Sequence, residues 1–180
     1  MTSYQLAKNL PTVTLVAHQG CLIALDWQTQ KTDDLLAKLK VKVAVMNSVA
    51  LSHSIDADAK VLVETITQLK EYQAGQRQVF DIPLDLSTGT PFQQTVWEAL
   101  LKIPYGKTIS YAQLANQIGQ PTACRAVANA NGKNPISLII PCHRVIASDG
   151  KLGGYTGGVE IKQILLDIEQ ASYQRQTITQ

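Results

Sequence analysis

The sequence has few cysteines, and no two of them stand at the spacing of a metal or redox motif. The three are Cys21, Cys124 and Cys142, an odd number spread widely along the chain. A disulfide framework and a four-cysteine zinc site both need paired cysteines, so neither is expected. We therefore expect three reduced thiols and no bound metal.

The chain also lacks a run of apolar residues long enough to cross a membrane. Residues 1–10 mix polar and apolar positions and do not resemble a secretory signal. We therefore expect no membrane contact and a cytoplasmic location. With 180 residues, 45% of them hydrophobic and 17% charged, and no internal repeat, the composition is that of a globular protein with one core or two small ones.

A strong net charge is the third feature that is missing, because the formal net charge of +2 is too small to indicate a nucleic-acid partner. The charge is unevenly distributed, however. Residues 1–90 hold eight basic and nine acidic residues, whereas residues 101–151 hold six basic residues and one acidic residue, Asp149. The six are Lys102, Lys107, Arg125, Lys133, Arg144 and Lys151. This excess suits a phosphate backbone and is equally compatible with an ordinary solvated face.

The first half of the chain has the pattern of a small α+β unit. Two β-rich runs flank Gln19-Gly20, which is typical of a hairpin turn, and Gly75 follows a segment of helical periodicity as a stop signal. The predicted elements are a hairpin over 12–18 and 21–27, a helix over 58–73, a strand over 80–86 and an interdomain link over 87–89.

The second half contains two capping-box patterns, Thr90 with Gln93 and Ser110 with Gln113, and each of them predicts the start of a helix. The predicted helices run from Pro91 to about 102, from 111 to 118–119, and from Pro121 to about 131–132. The last two form a helix, a short glycine-containing turn and a helix. Such a pair can place its second helix in a DNA groove, and it also occurs in ordinary helical bundles.

Farther along the chain, a buried apolar strand is predicted over 137–140, a polar turn over 148–150 and a final helix from about 159 to 170. The apolar face of that helix is predicted from Ile161, Ile164, Leu165 and Ile168. Its acidic residues, Glu160, Asp167 and Glu169, are the candidates for orienting a catalytic histidine.

Cys142 is followed by His143, and this pair suggests a nucleophile beside a base. Neighbouring side chains on a strand point to opposite faces, so the two can cooperate only if the chain turns at Pro141 or a water joins them. The residue chemistry alone leaves three interpretations: a buried structural cysteine, a Cys-His-acid hydrolase and an alkyl acceptor. His18 and His53 are expected to be ordinary surface or core histidines, because no complete metal-ligand set accompanies them.

The segment Pro141-Cys142-His143-Arg144-Val145 resembles the active-site motif of the methylated-DNA-protein-cysteine methyltransferases, also called O6-alkylguanine-DNA alkyltransferases. Other segments are similar to the pattern of that family in order and spacing over about residues 86–169. They are Gly89-Thr90-Pro91-Phe92-Gln93 with Val96-Trp97, Ile109-Ser110-Tyr111, Arg125-Ala126-Val127, Asn134-Pro135 and Tyr155-Thr156-Gly157-Gly158. The first 85 residues are only compatible with the variable amino-terminal domain of the family.

The resemblance implies an α+β protein in three parts. Residues 1–86 are expected to form a small, ribonuclease-H-like domain of sheet and helix, residues 87–172 a mostly helical domain with a winged-helix-like helix-turn-helix, and residues 173–180 a tail. The implied function is repair of double-stranded DNA by direct reversal of damage. Alkyl groups on guanine O6 or thymine O4 are transferred irreversibly to Cys142, one per molecule, without a cofactor.

The resemblance also implies a role for each residue of the site. Cys142 is the alkyl acceptor, His143 a base acting through water, Glu169 the group that orients His143, and Tyr111 the proton donor to the base. Asn134 braces the helix-turn-helix against the active-site turn, and Arg125 fills the gap that a flipped base leaves when the protein enters the minor groove. Further DNA contacts are expected from Tyr111, Thr122, Ala123, Ala126 and Asn131, and the base pocket from Val145, Tyr155, Thr156 and Gly157.

Two positions depart from the pattern of the family: Thr156 stands where many relatives have Ser, and Cys124 where a smaller residue is expected. The protein is expected to act as a monomer.

Two alternative functions would involve different chemistry. Lesion-binding relatives lack the acceptor cysteine, which is present here, and a Cys-His hydrolase would turn over through an acyl intermediate.

Overall fold

The computed structural model describes residues 1–6, 10–27, 29–39, 44, 51, 54–171 and 173. The chain divides into two compact units. The first comprises Met1–Thr88 and Pro135–Ser137, and the second comprises Gly89–Asn134 and Leu138–Gln180. His53 and all but the first residue of the predicted tail lie outside the described residues. Of the helices that are described, none has the length and apolar character needed to span a membrane.

The first unit contains a three-stranded antiparallel sheet in the order β1-β2-β3 with helices beside it. Its elements are β1 (Thr2–Gln5), β2 (Thr12–His18), β3 (Cys21–Asp26), α1 (Thr29–Leu39) and α2 (Ala57–Gln73). The predicted hairpin is confirmed. Gln19 and Gly20 have φ angles of 52° and 75°, as a two-residue turn with the hand of the sheet requires.

Helix α2 confirms the helix predicted over 58–73 and begins one residue earlier. The carboxylate of Asp56 caps its amino terminus by accepting from the backbone of Asp58 and Ala59. Leu62, Leu69 and other residues at helical spacing are buried against the sheet. The amide of Gly20 donates to Asp58 Oδ1 at 2.6 Å, so the hairpin turn is tied to the first turn of this helix.

The strand predicted over 80–86 is wrong. This segment forms only an isolated bridge between Leu84 and Leu22. Pro83 has no N–H to donate, and its carbonyl accepts from the amide of Leu22 at 2.8 Å. The amide and carbonyl of Asp81 both bond the side chain of Gln68 on α2, at 2.8 and 3.0 Å. A single backbone bridge to Leu22 and the side chain of Gln68 therefore take the place of the strand ladder that the alternating pattern predicted.

The second unit is mostly helical. Its elements are α3 (Pro91–Leu101), β4 (Ile109–Ser110), α4 (Tyr111–Gln117), α5 (Cys124–Gly132), a 3₁₀ turn (Cys142–Arg144), β5 (Val145–Ile146) and α6 (Val159–Ile168). Strands β4 and β5 pair in parallel. Both predicted capping boxes are present, with Gln93 returning a bond to Thr90 and Gln113 to Ser110. The mixed α/β class expected from the sequence is confirmed.

Helices α4 and α5 pack against each other and are joined by a turn that contains Gly119, with a φ of 71°. The prediction that the second helix begins at Pro121 is wrong, because α5 begins at Cys124. Pro121 and Thr122 lie in a turn. Ala123 occupies the N-cap position, and its side chain has no acceptor for the free amides of the first helical turn.

The strand predicted over 137–140 is also wrong, although the segment is buried as expected. Leu138 has a φ of 71°, which a strand does not allow. Just before it, within the first unit, the carbonyl of Pro135 and the amide of Ser137 bond the backbone of Leu25 at 3.0 and 2.8 Å. The apolar run therefore marks burial rather than regular secondary structure.

Helix α6 ends at Ile168, two residues before the predicted end, and its buried face is shifted from the predicted one and shares only Leu165 with it. Ile161, Ile164 and Ile168 are only half-buried. The buried positions are Lys162, Leu165, Leu166 and the C-cap residue Glu169, at the spacing i, i+3, i+4, i+7. The helix thus brings one cation and one anion into the interior of the second unit.

Candidate active site

Cys142 opens the 3₁₀ turn and is 3% exposed. The turn follows Pro141 and is closed by two bonds, from the amide of Cys142 to the carbonyl of Ile140 at 2.7 Å and from the amide of Arg144 to the carbonyl of Pro141 at 3.0 Å. The chain therefore does turn at Pro141, as cooperation between Cys142 and His143 requires.

Two asparagines hold the cysteine: Asn131, in the last turn of α5, and Asn134, two residues after that helix ends. Asn134 Nδ2 donates to Cys142 Sγ at 3.0 Å and to the carbonyl of Ile140 at 2.8 Å. Asn131 Nδ2 lies 3.5 Å from the carbonyl of Cys142. An amide N–H directed at the sulfur stabilises negative charge there, and both asparagines connect α5 to the active-site turn.

His143 is completely buried, and its Nε2 lies 2.9 Å from Glu169 Oε1. Its Nδ1 is buried without a hydrogen-bond partner among the described residues. Since a carboxylate can only accept, the neutral ring carries its proton on Nε2 and keeps its lone pair on Nδ1. The imidazole can therefore accept a proton at Nδ1 while Glu169 fixes its orientation.

Glu169 is shared between His143 and Arg144. Arg144 Nε lies 2.9 Å from Glu169 Oε2 and Nη2 lies 3.0 Å from Oε1, which makes a two-point pair. The remaining Nη1 donates to the carbonyl of Ile103 at 2.6 Å, and the amide of Gly106 donates to Glu169 Oε2 at 3.2 Å. The carboxylate is thus held on both oxygens.

These contacts determine the charges of the site. Burial raises the pKa of Glu169, but the hydrogen bonds and charges of His143 and Arg144 outweigh burial and hold that pKa well below its usual range. Burial lowers the pKa of His143, the bond and charge of Glu169 oppose this, and the charges of Arg144 and Lys162 lower it further. At neutral pH the site therefore contains a carboxylate, a guanidinium and a neutral imidazole.

Tyr111 is the first residue of α4 and is half-buried. Its ring lies against Gly153, where an added Cβ would be 3.6 Å from the Tyr111 ring. Burial raises the pKa of Tyr111, and negative charge on Cys142 or Cys124 raises it further. The phenol therefore keeps its proton at neutral pH and can donate it.

A cavity of about 260 Å³ opens at the cysteine. Its lining residues are Ala128, Asn131, Gly132, Cys142, Gly154, Tyr155 and Thr156. Thr156 Oγ1 donates to the carbonyl of Gly132 at 3.0 Å, which joins two walls of the cavity. Of the residues predicted to form a base pocket, Tyr155 and Thr156 line this cavity, whereas Val145 and Gly157 are not among its lining residues.

The residues predicted to contact DNA lie around α5. Thr122, Arg125 and Ala126 are exposed, Ala123 is half-buried, and Asn131 is buried. The basic segment carries less free charge than its composition suggests, because Arg144 is buried with Glu169 and Lys151 pairs with Asp149 at 2.9 Å. Lys102, Lys107, Arg125 and Lys133 remain as exposed cations of that segment.

Sequence reasoning missed two residues of the site, Arg144 as the partner of Glu169 and Lys162. Lys162 is fully buried, and its Nζ donates to the carbonyl of Val145 at 2.7 Å and to that of Leu152. The spacing of Lys162 from Leu165, Leu166 and Glu169 is the signal that could have revealed its burial. In the described part of the chain, no three His, Cys, Asp or Glu side chains are grouped so that they could hold a metal ion.

Comparison with known proteins gives one consistent family. Residues 91–171 match the family model for the DNA-binding domain of 6-O-methylguanine DNA methyltransferase. The methylated-DNA-protein-cysteine methyltransferase of Mycobacterium tuberculosis is 57% identical over 106 residues, which are 59% of this chain and 64% of that protein. The constitutive enzyme of the same name from Bacillus subtilis is 51% identical over 113 residues, 62% of this chain and 68% of that protein.

The fold agrees over a longer range. A crystal structure of the Mycobacterium tuberculosis OGT in complex with DNA superposes with a TM-score of 0.74 and 40% sequence identity, covering 94% of this chain and 91% of that chain. The sequence match to the mycobacterial relatives spans slightly less than two thirds of their length, at 64%. On the sequence identity, the coverage of the Bacillus subtilis relative and the shared fold, the chain belongs to the methylated-DNA-protein-cysteine methyltransferase family.

Proposed function

We propose that this protein repairs double-stranded DNA by transferring the alkyl group of O6-alkylguanine, or of O4-alkylthymine, to Sγ of its own Cys142. The observation that carries the proposal is the position of Cys142. Its sulfur receives a hydrogen bond from Asn134, it lines a cavity, and it is next to the buried His143–Glu169 pair. The names of the relatives describe a methyltransferase that acts between methylated DNA and a protein cysteine.

The reaction is a displacement at the alkyl carbon. A bond forms between Cys142 Sγ and that carbon, the bond from carbon to guanine O6 breaks, and its electron pair remains on the base. The thiol proton leaves through His143 Nδ1 by way of a water, and Tyr111 supplies a proton to the base. The proton taken up by His143 replaces, through solvent, the one that Tyr111 gives to the base. The sum is then thiol plus alkylguanine giving thioether plus guanine, so atoms and charge balance.

The geometry supports the roles of His143 and Tyr111. A neutral imidazole with its lone pair on Nδ1 can accept the thiol proton, and Glu169 stabilises the imidazolium that forms. Tyr111, at the start of α4 with its ring against Gly153, keeps the proton that a phenol normally holds at neutral pH, so it is available as a donor to the departing base. The backbone at Cys142, Val145 and Thr156 is proposed to read the edge of the base.

The cavity can accept a base only after that base leaves the duplex, so we infer a flipped nucleotide. Helix α5 lines the cavity through Ala128 and Gly132 and carries Arg125 on the same face at the spacing i, i+3, i+7. This arrangement supports contact of α5 with DNA beside the cavity, and we infer from the family resemblance that the contact is in the minor groove, with Arg125 in the gap in the stack. The exposed residues Thr122 and Ala126 lie at the amino-terminal end of that contact.

The product explains why each monomer reacts once. A thioether has no carbonyl for water to attack, so the bond to Cys142 cannot be hydrolysed as an acyl-enzyme is. A Cys-His hydrolase would release the thiol after each cycle. The two interpretations therefore differ in stoichiometry.

The test is incubation with a duplex oligonucleotide containing one O6-methylguanine, followed by mass spectrometry of the tryptic peptides. We expect one methyl group per chain, on Cys142, with Cys21 and Cys124 as internal controls that stay unmodified. Cys142→Ala should bind the oligonucleotide and leave the lesion in place. Repair by that variant, or unmodified Cys142 beside unrepaired DNA under reducing conditions, contradicts the proposal.

A further inference from the structure

Arg144 makes more bonds to the catalytic carboxylate than His143 does. Its guanidinium contacts both oxygens of Glu169, at 2.9 and 3.0 Å, whereas His143 contacts one oxygen at 2.9 Å. Arg144 is 6% exposed and Glu169 is 2% exposed, so this pair is inside the protein. A fully ionised pair is seldom buried unless further groups satisfy it.

Those further groups come from the turn after α3. The carbonyl of Ile103 accepts from Arg144 Nη1 at 2.6 Å, and the amide of Gly106 donates to Glu169 Oε2 at 3.2 Å. Between them, the ring of Tyr105 lies 5.8 Å from the Arg144 guanidinium, and its hydroxyl donates to the carbonyl of Ile168 at 3.0 Å. A Cβ at Gly106 would lie 2.9 Å from the carbonyl oxygen of Glu169, so this turn fits closely around the pair.

Arg144 is the cation that pairs directly with the buried carboxylate, and their charges cancel beside a neutral imidazole. The ammonium of Lys162 is also buried in this unit, but it donates to the carbonyls of Val145 and Leu152. Without the guanidinium, Glu169 would lose its directly paired cation, which favours uptake of a proton by the His143–Glu169 pair. A protonated His143 has no lone pair on Nδ1 and cannot accept the thiol proton.

We propose that Arg144 is a positioning residue for the transfer reaction, which fixes Glu169 against His143 and balances the carboxylate charge so that His143 stays a neutral base. This inference rests on the proposed function in naming the transfer step. The effect on the His143–Glu169 pair itself does not depend on DNA. Arg144 acts through Glu169 and is not among the residues that line the cavity.

Other charged groups face the same pair and enter its titration. Lys162 on α6 is buried near Cys142, and its charge disfavours protonation of His143. Tyr105 faces Glu169 and Arg144 from the turn after α3. Tyr111 on α4 faces Cys142. Asp167 and Glu160 on α6 are exposed. Arg144 differs from these groups in its two-point pair with both oxygens of Glu169, and this pair is what its substitution removes.

The experiment compares wild type with Arg144→Met, Arg144→Lys, Glu169→Gln and the double variant Arg144→Met/Glu169→Gln. The first readout is NMR titration of the His143 imidazole in the free protein. The second is the single-turnover rate of methyl transfer from the oligonucleotide as a function of pH. Cooperative thermal unfolding establishes which variants are folded.

In Arg144→Met, His143 is expected to become protonated at a higher pH than in wild type. The loss of methyl-transfer rate on the acid side of the pH profile should move to higher pH with it. Relative to wild type, the transfer rate of this variant should fall on the order of tenfold more at pH 6 than at pH 8, because general-base assistance by His143 is lost at the lower pH. Arg144→Lys keeps the charge and loses the two-point geometry. It should restore the titration of wild type while the rate stays below that of wild type at every pH.

Glu169→Gln leaves the charge of Arg144 without a partner beside His143, whereas both charges are gone in the double variant. His143 should therefore become protonated at a lower pH in Glu169→Gln than in the double variant. This comparison tests the role of Arg144 if the single variant Arg144→Met does not fold. Identical His143 titrations in wild type and Arg144→Met, or in Glu169→Gln and the double variant, overturn the proposal. If no protein transfers methyl but the titrations move as stated, the proposed function fails and the role of Arg144 toward His143 stands.

Discussion

Besides Cys142, four ionisable side chains with less than 10% exposure set the chemistry of the second unit: His143, Arg144, Lys162 and Glu169. Each is placed by hydrogen bonds to specific backbone or side-chain atoms. Lys162, for example, joins the carbonyl of Val145, which follows the active-site turn, to that of Leu152, near the wall of the cavity. Burial of such groups costs stability, so the cost should be measurable as a function of pH.

Lys162 provides that measurement. Burial lowers its pKa from 10.5 to about 8, although negative charge on Cys142 raises it. Burial of a charged lysine destabilises the folded state, and for Lys162 this penalty has its full size below pH 8. Between pH 8 and 10.5 the unfolded chain binds more protons than the folded chain, so the penalty disappears as the pH rises through this window. Lys162→Met lacks this dependence. The free energy of unfolding of wild type minus that of the variant should therefore rise by about 3 kcal/mol across the window.

Urea denaturation under reducing conditions, at a series of pH values from 7 to 11, tests the Lys162 prediction. Lys60→Met, at an exposed position of α2, controls for the substitution itself. A difference between wild type and Lys162→Met that stays constant with pH would show that the ammonium carries no burial penalty.

At the scale of elements, α5 connects the cavity to the rest of the second unit. The indole of Trp97 on α3 donates to the carbonyl of Ala130 on α5 at 2.9 Å, and the indole is 2% exposed. Beyond Ala130, the same helix end supplies Asn131 and Asn134 to the cysteine. The packing of α3 on α5 thus supports the active-site turn.

Gly89 tests this packing. A Cβ at Gly89 would lie 2.3 Å from Cζ3 and 2.6 Å from Cη2 of Trp97, a rigid buried ring that cannot move aside. Gly89→Ala should lower the free energy of unfolding by about 1–3 kcal/mol. Gly132→Ala is the matched control, because its Cβ meets nothing within 4 Å. Equal stabilities of the two variants in urea denaturation would be inconsistent with close packing at Gly89.

Arg125 tests the proposed role of α5 on DNA. It is exposed on the face of the helix that carries Ala128 and Gly132 into the cavity wall. Arg125→Ala should slow transfer from duplex DNA by roughly tenfold, through loss of a contact worth about 1–3 kcal/mol, and should affect reaction with the free alkylated base far less. Lys60→Ala on α2 is the control for loss of an exposed cation. An equal loss of rate on free base and duplex would place Arg125 in the chemistry rather than in DNA binding.

At the scale of the whole molecule, the basic segment 101–151 carries less free positive charge than its composition suggests. Six basic residues lie between residues 101 and 151. Arg144 and Lys151 have carboxylate partners, and the four that remain exposed are Lys102, Lys107, Arg125 and Lys133. Binding to DNA through these four should release about as many counterions, which limits its dependence on salt.

The affinity of Cys142→Ala for an unmodified duplex, measured from 50 to 200 mM salt, tests this limit. The logarithm of the association constant should fall linearly with the logarithm of salt concentration, with a slope no steeper than about −4. A steeper slope would require phosphate contacts from basic residues elsewhere in the chain. A slope of zero would contradict binding to the DNA backbone.

Much of the fold could be predicted from local patterns. The hairpin at Gln19-Gly20 and the capping boxes at Thr90 and Ser110 depend on residues at most four apart, and the structure confirms all three. The predicted strands over 80–86 and 137–140 failed because an alternating or continuous apolar pattern reports burial. It does not report which partner satisfies the backbone, and here the partners are Gln68 and Leu25.

The sequence by itself determined the family resemblance, the candidate nucleophile Cys142 and the helices around it, because these depend on short motifs. Only the tertiary structure decided the charges of the site. Arg144 and Glu169 are 25 residues apart, and their two-point pair, the bond from Asn134 to the cysteine sulfur and the burial of Lys162 arise when α5, α6 and the active-site turn pack together. Burial and pairing set the protonation states of these groups, and neither can be read from residues that are neighbours in the chain.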